Sequence, residues 1–114
     1  MDTMIASFED FEKLDIRSGE VKTAELNAKA RKPAYKMTID FGESIGIKQS
    51  SAQLCDNYKP EDLIGKQITA VTNFPSMRVA GFKSEVLVLA IVCQEHGTIL
   101  VCPDKTVKNG EKLA

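Results

Sequence analysis

The chain of 114 residues fits one domain, and its 43% hydrophobic and 27% charged residues are the balance of an ordinary globular protein. The net charge of -1, from 15 basic and 16 acidic residues, excludes nucleic-acid binding driven by overall charge. The longest apolar run, Val86–Cys93, is far shorter than the ~20 residues of a membrane-spanning helix, so we expect no membrane insertion.

The N-terminal third predicts a short helix followed by a long strand. Ser7 can cap a helix over 7–13, with Asp10 at the capping-box position. Phe8 and Phe11 share one face of this helix, and we expect that face to dock on the barrel that the later strands predict or on a partner subunit. Residues 14–26 predict the first strand. Ile16 and Val21 are five positions apart, so strict alternation would place these two apolar side chains on opposite faces of the strand. We therefore expect a bulge or bend near Gly19.

The middle of the chain alternates between strands and turns. After a basic loop over 27–34, Tyr35–Phe41 alternates apolar and polar residues, the clearest strand pattern in the sequence. A tight connection at 42–44 leads to a third strand over 45–48. Ser51 is predicted to cap a helical turn through Leu54, and a second turn begins at Pro60 and stops at Gly65.

The C-terminal half predicts further strands. Strand four covers 67–74, and the β-branched run Val86–Cys93 is typical of one continuous buried strand. A turn at 95–97 precedes a strand over 98–102. Five or six strands at short spacing, without α/β alternation, predict an all-β barrel.

Residues that carry catalytic or metal chemistry are scarce. His96 is the single histidine, and Cys55, Cys93 and Cys102 have no Cys-x-x-Cys spacing; Cys93 and Cys102 lie in apolar surroundings where we expect buried thiols. No glycine-rich phosphate loop is present. We therefore expect no metal, no cofactor and no enzyme activity. The odd number of cysteines and an N-terminus unlike a secretory signal indicate a reducing, cytoplasmic location.

Polar, cationic and aromatic side chains instead predict a binding surface. For an extended peptide we expect a groove formed by Gln49, Ser50, Ser51, Gln53, Asn73, Phe74, Met77, Arg78, Phe82 and Lys83. For RNA we expect a basic patch formed by Lys29, Arg31, Lys32, Lys36, Lys48, Arg78, Lys83 and Ser84. The two sets overlap, and cations beside aromatic rings suit either ligand, so the sequence leaves both open.

Several motifs in order along the chain resemble a known family. The stretches are Leu14–Gly19, Ile39–Gly42, Leu63–Lys66, Asn73–Pro75 and Gly81–Glu85. They resemble the tRNA-binding domain that occurs alone and at the C-terminus of methionyl-tRNA synthetases. Residues 32–34, 45–53 and 79–89 are most similar to the small export-related chaperones of that family. The loop over 28–34 departs from the His-Pro-x-Ala-Asp-x-Leu pattern of tRNA-binding relatives and is more basic.

The resemblance implies an oligonucleotide-binding (OB) fold, a five-stranded barrel with short helical terminal additions. It implies one tRNA-binding/OB-fold domain over 1–114, with extensions over 1–13 and 103–114, and a homodimer built through those extensions. The implied function is a non-catalytic, export-related chaperone that binds unfolded preproteins or peptides. The alternative is a structure-specific tRNA-binding module.

Overall fold

The computed structural model describes residues 4–114, whose strands greatly outnumber its helices. The two helices are α1 (Phe8–Glu12) and α2 (Pro60–Leu63). The strands are β1 (Ile16–Leu26), β2 (Tyr35–Asp40), β3 (Ile47–Ala52), β4 (Gln67–Val71), β5 (Met77–Val79), β6 (Phe82–Ser84), β7 (Leu87–Val88), β8 (Ala90–Cys93) and β9 (Gly97–Leu100).

The main sheet is antiparallel throughout and has the strand order β3-β2-β1-β4-β7. Strand β2 alternates as its sequence predicts: Tyr35, Met37 and Ile39 are buried, while the residues between them are half-buried. These side chains pack in one core with Val21, Leu54, Leu63 and Ile68. Burial of this apolar face is the main force that holds the sheet curved around its core.

The barrel is nearly closed by polar contacts between β3 and the segment that joins β6 to β7. The Ser50 hydroxyl donates to the Val86 carbonyl over 3.2 Å, and the Glu85 N–H donates to the Gln49 carbonyl over 2.8 Å. Two smaller sheets, β5-β6 and β8-β9, extend from this body. The all-β, OB-type barrel expected from the sequence is confirmed.

The predicted bulge near Gly19 is displaced along β1. Pairing with β4 runs without interruption from Ile16 to Glu20, and the register with β2 shifts between Val21 and Thr23. Gly19 has a different role. A Cβ atom there would lie 2.7 Å from both Ile39 and Phe41, so the glycine lets the barrel walls approach closely.

Strand β3 is longer and more polar inside than expected. It continues to Ala52, so the predicted helical turn capped by Ser51 is wrong. Ile47, expected on the apolar face, is 62% exposed, whereas Ser50 is completely buried. The hydroxyl tolerates this burial because it bonds to backbone carbonyls.

The prediction of one continuous buried strand over Val86–Cys93 is also wrong. The segment divides into β7 and β8 at Leu89, and Ile91 and Val92 are 60% and 84% exposed. Strand four ends at Val71 rather than Phe74. Cys93 is half-buried and Cys102 exposed, which corrects the expectation that both thiols are buried.

Helix α1 precedes the start of β1, and the C-terminal segment is hydrogen-bonded to that start. The predicted capping box of α1 is confirmed by reciprocal bonds between Ser7 and Asp10. Phe8 and Phe11 contact each other with ring centroids 6.2 Å apart, and Phe8 is exposed while Phe11 is half-buried. At the other end, the Leu113 N–H donates to the Ile16 carbonyl over 2.8 Å.

Candidate peptide and nucleic-acid interface

The β5–β6 hairpin lies where the sequence predicted only a loop with binding residues. Its strands are joined by Ala80 and Gly81, both with positive φ, at 49° and 82°. Two successive positive φ angles define the type I′ turn, whose twist suits a two-residue hairpin. The hairpin, which we call the ribbon (77–84), therefore presents its side chains on two defined faces.

One face of the ribbon is apolar and the other cationic. Val79 lies opposite Phe82, and Met77 opposite Ser84, on the face where Ser84 is buried. Arg78 lies directly opposite Lys83 on the other face, and both are exposed. Like charges directly opposite each other destabilise an antiparallel pair, so this pair favours an anionic partner.

The ribbon is joined to the barrel through β3. The Gln49 side-chain amide donates to the Lys83 carbonyl over 3.2 Å, and the Ser51 N–H donates to the Ser84 hydroxyl over 3.0 Å. The Gln49 N–H donates to a Glu85 carboxylate oxygen over 3.0 Å. Gln49, Ser50, Ser51 and Ser84 thus engage polar groups in hydrogen bonds within the chain. Gln53, which was also predicted to contact a peptide, is exposed.

A cavity of about 260 Å³ lies between the ribbon tip and the loop after β1. The Lys36 Nζ atom is 5.9 Å from the centroid of the Phe82 ring and 3.3 Å from a Glu25 carboxylate oxygen. The lining residues are Glu25, Leu26, Asn27, Ala28, Lys29, Lys36, Ala80, Gly81 and Phe82. Its volume is below the roughly 300–1,000 Å³ of pockets that take drug-sized ligands, which suits a single side chain or a single base.

Asn27 and Glu25 line this cavity but were not predicted from the sequence as site residues. Asn27 is buried, and its side-chain nitrogen has no hydrogen-bond partner among residues 4–114, an arrangement that normally costs about 1–3 kcal/mol. Glu25 faces Lys36 across the β1–β2 register. The pairing of β1 with β2 is therefore the information that identifies Glu25 as a neighbour of Lys36.

The structure brings some of the predicted cations together and separates others. Lys29 and Lys36 line the cavity, and Arg78 and Lys83 belong to the ribbon that closes it. Arg31 and Lys32 are exposed in the loop before β2. Lys48 pairs with Ile39, whereas Lys36 pairs with Ser51, so Lys48 lies toward the opposite end of β3.

The predicted aromatic and amide groups after β4 divide in the same way. Met77, the first residue of the ribbon, is 65% exposed, and Phe74, three residues before it, is 43% exposed. Asn73 instead connects the chain: its side-chain nitrogen donates to the Lys13 carbonyl over 2.7 Å, and its oxygen accepts from the Asp15 N–H. Asn73 therefore positions the N-terminal helix.

Two further features are absent from residues 4–114. No group of three or more histidine, cysteine, aspartate or glutamate side chains is placed to hold a metal ion. Within the same residues, no helix has the length and apolar character needed to cross a bilayer.

Comparisons with known proteins identify the family of this chain. Residues 16–112 match the family described as "Putative tRNA binding domain". Methionine–tRNA ligase of Methanococcoides burtonii is 38% identical over 106 residues, which are 93% of this chain but 15% of the ligase. The chain thus spans about 15% of the length of the curated relatives it matches.

Two crystal structures cover almost the whole chain. Chaperone CsaA of Bacillus anthracis is 53% identical with a TM-score of 0.91, and the match covers 97% of this chain and 100% of that one. The CsaA chaperone protein of Picrophilus torridus is 46% identical with a TM-score of 0.91, covering 96% and 100%. The chain therefore belongs to the tRNA-binding-domain family and, within it, to the CsaA-type proteins.

Proposed function

We propose that this protein is a non-catalytic chaperone that binds unfolded preproteins or peptides in the cytoplasm and keeps them competent for export. The observation that carries the proposal is the exposure of Met77, at the start of the ribbon, and of Phe74, three residues before it. Large apolar side chains grouped on a surface mark interaction sites. The relatives that cover nearly the whole chain at 53% and 46% identity are called chaperones, which supports the same role.

The two faces of the ribbon suit segments of mixed character. Met77, Val79 and the Phe82 edge offer apolar contact, and Met in particular adapts to varied partners. Arg78 and Lys83 offer charge to acidic side chains or carbonyl groups. Affinity for any one segment is expected to be modest, because the apolar surface is small and a flexible client must be ordered on binding.

A homodimer would increase that affinity. We propose a dimer formed through the terminal extensions over 1–13 and 103–114, since Phe8, Val107 and Leu113 are 71%, 40% and 45% exposed. A twofold partner can cover such apolar side chains and present two ribbons to one long client. Multi-angle light scattering at micromolar concentration should give twice the chain mass of 12.5 kDa. A monomer mass would contradict the dimer.

The chaperone proposal is tested by suppression of aggregation. A Phe74→Ser, Met77→Ser variant should protect a denatured client protein less well than the parent. Val92→Ser is the matched control, because Val92 is 84% exposed but lies in the separate β8–β9 sheet. Equal protection by the parent and the double variant, with both folded, would show that this surface is not the client site.

A second function, RNA binding, is favoured by one observation. The exposed Arg78–Lys83 pair carries a cross-strand repulsion that a phosphate would relieve, and Lys29 and Lys36 lie around the adjacent cavity. We propose tRNA as the RNA partner, on the strength of the family match. Titration of tRNA at two salt concentrations, beside titration of an unfolded peptide, separates the two functions. Phosphate contacts make RNA affinity fall steeply with salt.

A further inference from the structure

The outer edge of β5 carries backbone groups directed away from the protein. In an antiparallel ribbon, directly opposed residues alternate between pairs that exchange hydrogen bonds and pairs that do not. Val79 and Phe82 flank the two-residue turn and therefore form a bonded pair. Arg78 and Lys83, the next pair, are non-bonded, so their N–H and C=O groups point outward on opposite edges of the ribbon.

An independent contact supports this orientation. The Lys83 carbonyl accepts a bond from the Gln49 side chain, which shows that the β6 groups point outward toward β3. The corresponding groups of Arg78 must then point away from the barrel. Among residues 4–114, the Arg78 backbone takes part in no turn, loop or cap hydrogen bond. Its guanidinium donates to the Gly81 carbonyl over 3.2 Å, which leaves the outer edge open.

Strand β3 does not offer such an edge at the same place. Its outward groups at Gln49 and Ser51 are already bonded to Glu85 and Ser84. The ribbon therefore covers one sheet edge and exposes another, at β5. Proteins normally protect open edges, because an exposed row of N–H and C=O groups pairs readily with another chain.

We propose that an extended segment of a non-native polypeptide adds to the ribbon as a third strand along the outer edge of β5, pairing with the N–H and C=O of Arg78. This inference rests on the proposed chaperone function and specifies how the client is held. Backbone pairing gives affinity that does not depend on client sequence, which a chaperone for many clients requires. A peptide backbone matches a donor and an acceptor on one residue, whereas RNA phosphates only accept.

The side chains of the ribbon define the preferred client pattern. Successive client residues would lie alternately beside the apolar face, near Met77 and Val79, and beside the cationic face, near Arg78. A segment that alternates apolar and acidic residues should therefore bind best. Uniformly basic segments should bind worst, because they meet Arg78 and Lys83.

The test separates the Arg78 charge from its backbone N–H. Arg78→Ala removes the side chain and keeps the N–H, and Arg78→Pro removes both. Proline is tolerated at an edge position whose N–H faces solvent, so the ribbon should persist in both variants. For a labelled peptide that alternates valine and glutamate, Arg78→Pro should bind roughly three- to tenfold more weakly than Arg78→Ala, the loss expected for one hydrogen bond. The two variants should bind tRNA equally.

A second measurement changes the client instead of the protein. Two versions of the same peptide carry N-methyl groups on either the odd or the even residues, so each keeps its side chains but loses the N–H donors of one edge. The version whose methyl groups lie on the edge that faces β5 should bind the parent protein at least several-fold more weakly than the unmodified peptide. If Arg78→Pro and Arg78→Ala bind equally and both methylated series bind like the unmodified peptide, strand addition is overturned while the chaperone function stands. If the parent binds no unmodified peptide, the chaperone function itself is overturned.

Discussion

The side-chain oxygen of Asn73 accepts a 2.9 Å hydrogen bond from the Asp15 N–H, joining the segment after β4 to the residue just before β1. The same side chain donates to the Lys13 carbonyl at the end of α1. Asn73 and Asp15 are 58 residues apart in the sequence. Asn73 thus holds the helix that precedes the barrel in a fixed position.

Replacing Asn73 should release that helix. Asn73→Ala removes both bonds and should lower the free energy of unfolding by about 1–3 kcal/mol, given about 0.5–1.5 kcal/mol for each bond. Hydrogen exchange at the Asp15 amide should become faster. Asn73→Asp keeps the acceptor for Asp15 and loses the donor, so its Asp15 amide should remain protected. Equal protection in the alanine and aspartate variants would contradict this role.

Gly19 provides a second structural test. Its missing Cβ leaves room for Ile39 and Phe41, which would otherwise lie 2.7 Å away. Gly19→Ala should therefore destabilise the fold by about 1–3 kcal/mol, the usual cost of overpacking a core. Urea denaturation of the single variants and of Gly19→Ala with Phe41→Leu measures the coupling. The smaller side chain should recover part of the loss, and strictly additive effects would argue against crowding.

Local patterns predicted the elements whose two faces differ. The alternation of β2 and the capping box of α1 were predicted correctly, because each is determined by residues that are neighbours in the sequence. Val86–Cys93 was predicted wrongly because a continuous apolar run is also what a strand buried on both faces shows. In the structure, Ile91 and Val92 lie in a two-stranded sheet with exposed faces.

The candidate site was only partly predictable for the same reason. Phe82, Lys36 and Lys83 were recognised by residue type. Asn27 and Glu25 were not, since their contribution depends on the β1–β2 register and on where the ribbon tip packs. Conversely, Ser50 was predicted to bind a ligand, whereas the structure uses it to close the barrel. Pairing between distant strands decides these cases.

Tyr35 should make stability depend on alkaline pH. Burial, reinforced by the neighbouring Cys55, raises the pKa of Tyr35 above its ordinary value of 10.0, and its hydroxyl donates to the Tyr58 carbonyl over 2.6 Å. As the pH rises above 10.0, the tyrosine of the unfolded chain ionises while folded Tyr35 stays protonated. The unfolded state is thereby favoured, so the contribution of Tyr35 is complete below this pH and is lost above it.

Tyr35→Phe isolates this effect from other titrating groups. The variant lacks both the hydrogen bond and the ionisation, so at neutral pH the parent should be more stable by about 0.5–1.5 kcal/mol. That advantage should shrink as urea midpoints are measured at pH values above 10.0. A difference that stays constant with pH would show that folding does not change the pKa of Tyr35.

Lys36 should affect RNA binding more than Lys48 does. Both are half-buried strand residues, but only Lys36 lies over the Phe82 ring and lines the cavity. Lys36→Gln should weaken tRNA binding and reduce the slope of log affinity against log salt by about 0.7–0.9, the effect of one lost phosphate contact. Lys48→Gln is the charge-matched control and should have a smaller effect. Equal effects would instead extend the RNA surface along the whole of β3.

Peptide and RNA should compete, because their candidate sites share Arg78, Phe82 and Lys83. A saturating amount of the valine–glutamate peptide should weaken tRNA binding, since a strand on the edge of β5 places its acidic side chains beside the two cations that phosphate would contact. Phe82→Ala should weaken both ligands, because the ring forms part of the apolar face and of the cavity wall. Fluorescence anisotropy of labelled tRNA, with and without peptide, measures the competition. Unchanged tRNA affinity at peptide saturation would mean that the two ligands occupy separate surfaces, and the RNA site would then have to be sought away from the ribbon.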